Sequence, residues 1–233
     1  MRYFFVALGL FTVVIALVAF VPEYVRMTAG TFPIAWVLHI HGALMGAWLA
    51  MFVVQAVLAS TRRVALHRKI GPYGFALGIA VWASMVFVEL RLLIAHPLPA
   101  QLPEYDELLQ GPCIFLTFLV LLFWAYHERR RPEWHKRLMT IATFVALVAP
   151  IERIVWLPEL GVGYIWASFL WMDLCIVVAL FTYDMVAAKR LYPATGFGLC
   201  FVLAAQAAMF LAWGNSSWRQ FAFVAAHAIR AVF

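Results

Sequence analysis

The chain has 233 residues, 66% of them hydrophobic and only 12% charged, with a formal net charge of +6. A soluble domain carries about 25% charged residues, so this chain cannot cover itself with polar groups and its solvent must be lipid. The positive balance sits in short segments between apolar runs, where membrane topology accounts for it and nucleic acid is not an expected partner. Cys113, Cys175 and Cys200 lie far apart inside apolar runs, so neither a disulfide framework nor a cysteine cluster is expected.

Taken in chain order, apolar runs fall at roughly 3–21, 34–59, 75–95, 113–126, 137–157, 164–186 and 197–213. The first follows Met1-Arg2 as a signal peptide would, but it is as long as a full span. Val21-Pro22-Glu23, not a small-x-small cleavage site, comes after it, so a retained helix is expected. Six runs reach the ~17–25 residues that a bilayer requires, and Leu108-Leu109 can extend the short fourth run past Gly111-Pro112. The expected architecture is all-α: one domain over residues 1–233, about seven transmembrane helices. Pro150 should kink the fifth helix and free the carbonyl of Ala146.

Charge sets the expected orientation. Arg62, Arg63, Arg68 and Lys69 follow helix 2, Arg129, Arg130, Arg131, Lys136 and Arg137 follow helix 4, and Lys189 and Arg190 follow helix 6. The alternate connections hold Glu23 with Arg26, then Glu104, Asp106 and Glu107, then Glu159. The basic loops all fall on one side, which predicts a cytoplasmic N-terminus and an outer C-terminus. The last stretch, 218–233, aligns Arg219, Phe223, His227 and Arg230 and reads as a short interfacial helix.

Ionisable residues inside the spans default to function. His39 and His41 lie on helix 2, Glu89 and Arg91 on helix 3 with His96 at its end, Glu152 and Arg153 on helix 5, and Asp173 on helix 6. All but His96 fall roughly 5–13 Å below the outer edge by the helical rise, and the cytoplasmic half offers no comparable set. His39 shares a small-residue stripe with Gly42, Gly46 and Ala50, where a second helix can approach closely, while His41 points the opposite way. Three carboxylates face two arginines, so a proton or a cation is expected to balance the remaining charge. A register-fixing ion-pair network is the competing expectation. His67, Arg68, Arg130 and His135, with His127, are expected in a solvated cytoplasmic rim that touches lipid phosphates.

His39-Ile40-His41-Gly42, Gln55, LHRKIG from Leu66 to Gly71, HKRLM from His135 to Met139, Arg153 and YPAT from Tyr192 to Thr195 together resemble a family of uncharacterised bacterial polytopic inner-membrane proteins. The resemblance runs from about residue 34 to the C-terminus. It implies a multi-pass protein of the bacterial inner membrane and no particular activity. The HKRLM helix is also similar to one in small membrane proteins linked to haem–copper oxidase maturation.

Three functions follow as expectations. The first is a metal-binding or redox site in which His39, His41, Glu89, Glu152 and Asp173 ligate iron, manganese or zinc, with Arg91 and Arg153 offsetting part of the acid charge. A b-type haem fits this site less well, because His96 lies about 8–10 Å nearer the surface than His41. The second is a non-catalytic subunit or assembly factor whose partners are lipid and a larger membrane complex. The third is a metal-dependent membrane hydrolase of the ceramidase and progestin-receptor type. Those proteins carry a histidine pair on the last helix, where this chain has only Gln206.

Overall fold

A computed structural model describes residues 2–26, 36–95, 102–154 and 165–232. All regular structure among them is helical: α1 Phe4–Arg26, α2 Trp36–Ser60, α3 Val64–Ala95, α4 Gln110–His127, α5 Pro132–Val145, α6 Val148–Glu152, α7 Ile165–Tyr183, α8 Pro193–Ala212 and α9 Ser216–Val232. A 3-10 segment, Leu102–Leu109, leads into α4, and a π turn, Asp184–Ala188, ends α7. Among the described residues six helical stretches are long and apolar enough to cross a membrane: Phe4–Arg26, Trp36–Ser60, Val64–Arg91, Pro103–Arg130, Ile165–Ala188 and Pro193–Ala212. Their outward faces carry Leu10, Val14 and Leu17 on α1, Leu170 and Val178 on α7, and Phe197 and Leu203 on α8. Helices apolar on every side belong in lipid or in a core.

The fifth apolar run behaves differently. Residues of α5 are covered on all sides by α1, α4, α7 and α8, and Leu138, Ile141, Ala142, Phe144 and Val148 have no exposed surface. The expected kink is present and falls at Ala146-Leu147, one turn before Pro150. That is where a proline without an N–H removes the i−4 bond and its ring crowds the carbonyl. The chain resumes as α6, with Ile151 N–H donating to the Leu147 carbonyl at 2.9 Å. The extension of helix 4 is also present, as the 3-10 segment before Gln110.

One end of the bundle collects the basic loops. Arg2 Nε donates to the Ser60 carbonyl at 2.5 Å, which brings the start of α1 to the α2–α3 turn. In that turn Arg62 adopts the left-handed conformation, with φ 64°. Arg63 N–H reaches back to Leu58 and Arg62 N–H to Ala59, a Schellman closure of α2.

The same end corrects the expectation that polar groups cluster only near the outer face. Arg137, read as part of a basic loop, is fully buried and pairs with Asp184, which is fully buried too. Arg137 Nε and Nη2 both donate to Asp184 Oδ1, the former at 3.0 Å. Oδ2 accepts from Tyr192 N–H at 2.8 Å and Thr195 Oγ1 at 2.7 Å. Arg137 Nη1 donates to the Glu133 carbonyl at 2.9 Å and its carboxylate at 2.5 Å. The guanidinium also lies 4.2 Å from the Tyr192 ring centre. Five groups, from α5 and the start of α8, thus satisfy one buried pair, tying α5 to the end of α7 and the start of α8. The sequence spacing of residues 137 and 184 gives no hint of it.

Removing one partner of such a pair leaves a bare buried charge and costs about 3–5 kcal/mol, whereas replacing both with apolar groups can be neutral or stabilising. Asp184→Leu and Arg137→Met are each expected to destabilise the protein by about 3–5 kcal/mol, and the double variant to recover most of that loss. Thermal unfolding of the three variants in one detergent checks this; a double variant as unstable as the sum of the singles would refute it.

Candidate functional site

At the opposite end the three membrane carboxyls gather around the first turns of α4. Glu89 of α3 lies flat on Gly111, so close that a Cβ there would stand 2.8 Å from its Cδ. Glu152 of α6 accepts a hydrogen bond from Gln110 Nε2. Asp173 of α7 accepts one from Gln206 Nε2 of α8 at 2.9 Å, and lies near enough to Cys113 to act on it electrostatically. All three are half-buried. Glu89 takes no hydrogen bond or ion pair from the described residues, and the partners of the other two are neutral amides.

Of the two arginines, Arg153 acts on one of the acids, through its field on Glu152. Neither forms an ion pair with Glu89, Glu152 or Asp173 among the described residues. Arg153 is exposed, donates to the Ala149 carbonyl at 2.6 Å and lies over the Phe20 ring. Arg91 is exposed and lines an apolar cleft of about 220 Å³ with Trp36, Phe87, Leu90, Ile94 and Ile229.

The histidines of α2 diverge, as their angular positions predict. His41 is half-buried, with Nδ1 2.9 Å from Ser84 Oγ. The Ser84 hydroxyl donates its one proton to the Val81 carbonyl at 2.7 Å, so it accepts from His41 Nδ1–H and leaves Nε2 bare. His39 is exposed, edge-on to Tyr24 at 6.4 Å. The stripe it shares with Gly42 and Gly46 is not a helix contact, since a Cβ at either glycine would meet nothing within 4 Å. The close approach of α1 to α2 occurs instead at Gly9, where a Cβ would come 2.9 Å from Val53 Cγ2. Among the described residues no three His, Cys, Asp or Glu side chains stand together as metal ligands. His96 and Glu159 lie outside the described residues.

The expected rim divides in two. Arg68, His127 and Arg130 are exposed. His67 and His135 turn inward and face each other, ring centres 6.3 Å apart. His135 Nδ1 is held at the Ala125 carbonyl, and the Glu133 carboxylate accepts from Lys136 and Arg137.

Sequence reasoning also missed Asp106, read as a loop acid. It is buried and accepts from Arg219 Nε at 2.9 Å and Nη2 at 2.5 Å, and from Gly214 N–H at 3.1 Å. These bonds dock α9 on the 3-10 segment, with Ala222 and Ala226 inward and Phe221 and Val224 outward. The opposite charges of Asp106 and Arg219 were legible, but not their pairing across 113 residues.

Comparison of the chain with protein-family models, curated proteins and solved structures finds no match. The geometry therefore carries the functional reading alone.

Gln206→Leu and Gln110→Leu each remove the donor to a half-buried carboxyl, and an unmet acceptor costs about 1–3 kcal/mol. Each variant is expected to unfold at lower temperature by that amount at neutral pH. Gln206→Glu is expected to behave worse, since it sets a second acid against Asp173. A Gln206→Glu protein as stable as the native one would show that the amide does not serve Asp173.

Proposed function

We propose that the chain is a seven-span protein of the bacterial inner membrane whose outer carboxyl ring takes up protons from the outer face. The burial of α5 on every side supports counting 132–152 as a span: at the helical rise its 21 residues reach about 30 Å, the thickness of the hydrocarbon core. With that span included, the loops after α2, α4 and α7 share one side with Arg2, and their basic residues set that side in the cytoplasm. A reporter enzyme active only in the periplasm is expected to be active when fused after Phe233 and silent when inserted beside Arg130. The reverse pattern would invert the topology.

The observation that carries the site is that none of its acids forms an ion pair among the described residues, Arg153 reaching Glu152 only through its field. Each intramembrane charge costs about 2.5–3.5 kcal/mol on insertion scales, so three unpaired carboxylates would cost on the order of 10 kcal/mol. Amide donors from Gln110 and Gln206 recover only part of that, about 1 kcal/mol each. The ring therefore holds protons or a cation at neutral pH. Protons fit the geometry better than a divalent metal, because the metal would need ligands to converge and these do not. His41, with a bare Nε2 on the neighbouring helix, is the group to receive or deliver such a proton.

Infrared spectra of the purified protein at neutral pH are expected to show the carbonyl band of a protonated carboxyl. The band should weaken in Glu152→Gln or Asp173→Asn and be indifferent to added divalent metal. A native protein without the band, carrying a stoichiometric metal that these substitutions release, would replace the proton reading with the metal one.

A further inference from the structure

His67 lies in the first turn of α3 and His135 in the first turn of α5, at the basic end and far from the carboxyl ring. Their rings stand 6.3 Å apart, with planes at 84°. His135 Nδ1 is 2.8 Å from the Ala125 carbonyl oxygen, and His67 Nδ1 is 3.3 Å from that of Gln55. A carbonyl can only accept, so each Nδ1 carries the proton and each neutral ring offers Nε2 as a bare lone pair. Histidines that ligate metals are held in this way, one nitrogen fixed by a backbone carbonyl and the other free.

The spacing is compatible with two ligands on one metal as well as with an edge-to-face ring contact. A metal–imidazole bond of about 2.0–2.1 Å, plus about 1.1 Å from nitrogen to ring centre, puts two ligands on opposite sides of one metal with ring centres about 6.3 Å apart. Two further features mark the surroundings. At 100° per residue His67, Gly71, Gly74 and Gly78 share the inward stripe of α3. A Cβ at Gly74 would come 3.3 Å from Met51 Cγ and one at Gly78 2.7 Å from Leu122 Cδ2, so helix packing explains both glycines. At Gly71, one turn from His67, a Cβ would meet nothing within 4 Å. A helical glycine costs about 1 kcal/mol against alanine, and no neighbour here accounts for it. Gln55, whose carbonyl fixes His67, also buries an Oε1 with no hydrogen-bond partner.

We propose that His67 and His135 bind a transition-metal centre from opposite sides, either the iron of a haem or a copper ion. Imidazole suits both metals. A zinc ion closes a tetrahedron of four ligands, and no third His, Cys, Asp or Glu joins the pair among the described residues. A haem brings its own four equatorial nitrogens, and cuprous copper is satisfied by two collinear ones.

The test uses the full chain in detergent, titrated separately with hemin and with cuprous ion. One equivalent of one probe is expected to saturate it. Bound hemin should give the low-spin spectrum of a six-coordinate iron, and bound copper should be retained after gel filtration. His67→Ala and His135→Ala are each expected to weaken uptake at least tenfold or to leave a five-coordinate haem, while His127→Ala binds as the native chain does. Electron paramagnetic resonance of the native complex, with copper oxidised in place, reads two imidazole nitrogens without relying on any variant to fold. The absence of uptake of both probes, uptake equal in the native chain and both alanine variants, or a resonance lacking two imidazoles would overturn the proposal. Its failure leaves the outer carboxyl ring untouched, because that ring shares no residue with this pair.

Discussion

The fold depends on satisfying one buried ion pair. Arg137 and Asp184 have no exposed surface, and a buried charge with an incomplete shell costs several kcal/mol. Satisfying them fixes three things at once. The π turn that closes α7 must present Asp184, Tyr192 must offer its N–H at the start of α8, and α5 must run through the centre so that Arg137 reaches both. Other helices can shift against lipid at little cost, since lipid is as apolar as their partners. This junction cannot, because any displacement breaks a charge-assisted hydrogen bond in a low-dielectric setting. A membrane bundle lacks a hydrophobic driving force between its helices, so polar locks of this kind carry the specificity of its arrangement.

All but two of the motifs that stood out in the sequence, His39-Ile40-His41-Gly42 and Arg153, converge on that end. HKRLM supplies His135, Lys136 and Arg137, YPAT supplies Tyr192 and Thr195, LHRKIG supplies His67 and Gly71, and Gln55 supplies the carbonyl that holds His67. His135 sits on α5 two residues before Arg137, and His67 reaches it from α3. A rigid support is what a ligand pair needs, since ligand placement to within about 0.5 Å decides whether a site is present or merely close.

Much of this was legible in the sequence, for identifiable reasons. Apolar run length matched six helices long enough to span because the bilayer thickness leaves few alternatives. Pro150 placed the break in helix 5 because a missing N–H acts locally. The divergence of His39 and His41 followed from helical angles alone. What was hidden required knowing which helices are neighbours. Arg137 looked like one of several loop arginines, and nothing in its own stretch marks it as the member that turns inward. The glycines at 42 and 46 looked like a helix seam and are not one, while Gly9, with no repeat to advertise it, is. The acids gather at one end of the bundle, around the start of α4, but their partners came from Gln110 and Gln206, neutral residues that a count of charges overlooks.

The two ends of the bundle therefore solve the same electrostatic problem in opposite ways. At the basic end the buried acid, Asp184, has a fixed counter-charge in Arg137. At the other end Glu152 and Asp173 meet amides, which hydrogen-bond to a carboxyl in either state and so do not lock its charge. Arg91 and Arg153, which could have locked it, lie at the exposed surface instead. A purely structural network would gain by turning those arginines inward, since an ion pair with satisfied hydrogen bonds costs less than an uncompensated acid. Their outward placement leaves the ring free to change its protonation without disturbing the helices that hold it. That is the property expected of a site that works by gaining and losing a proton.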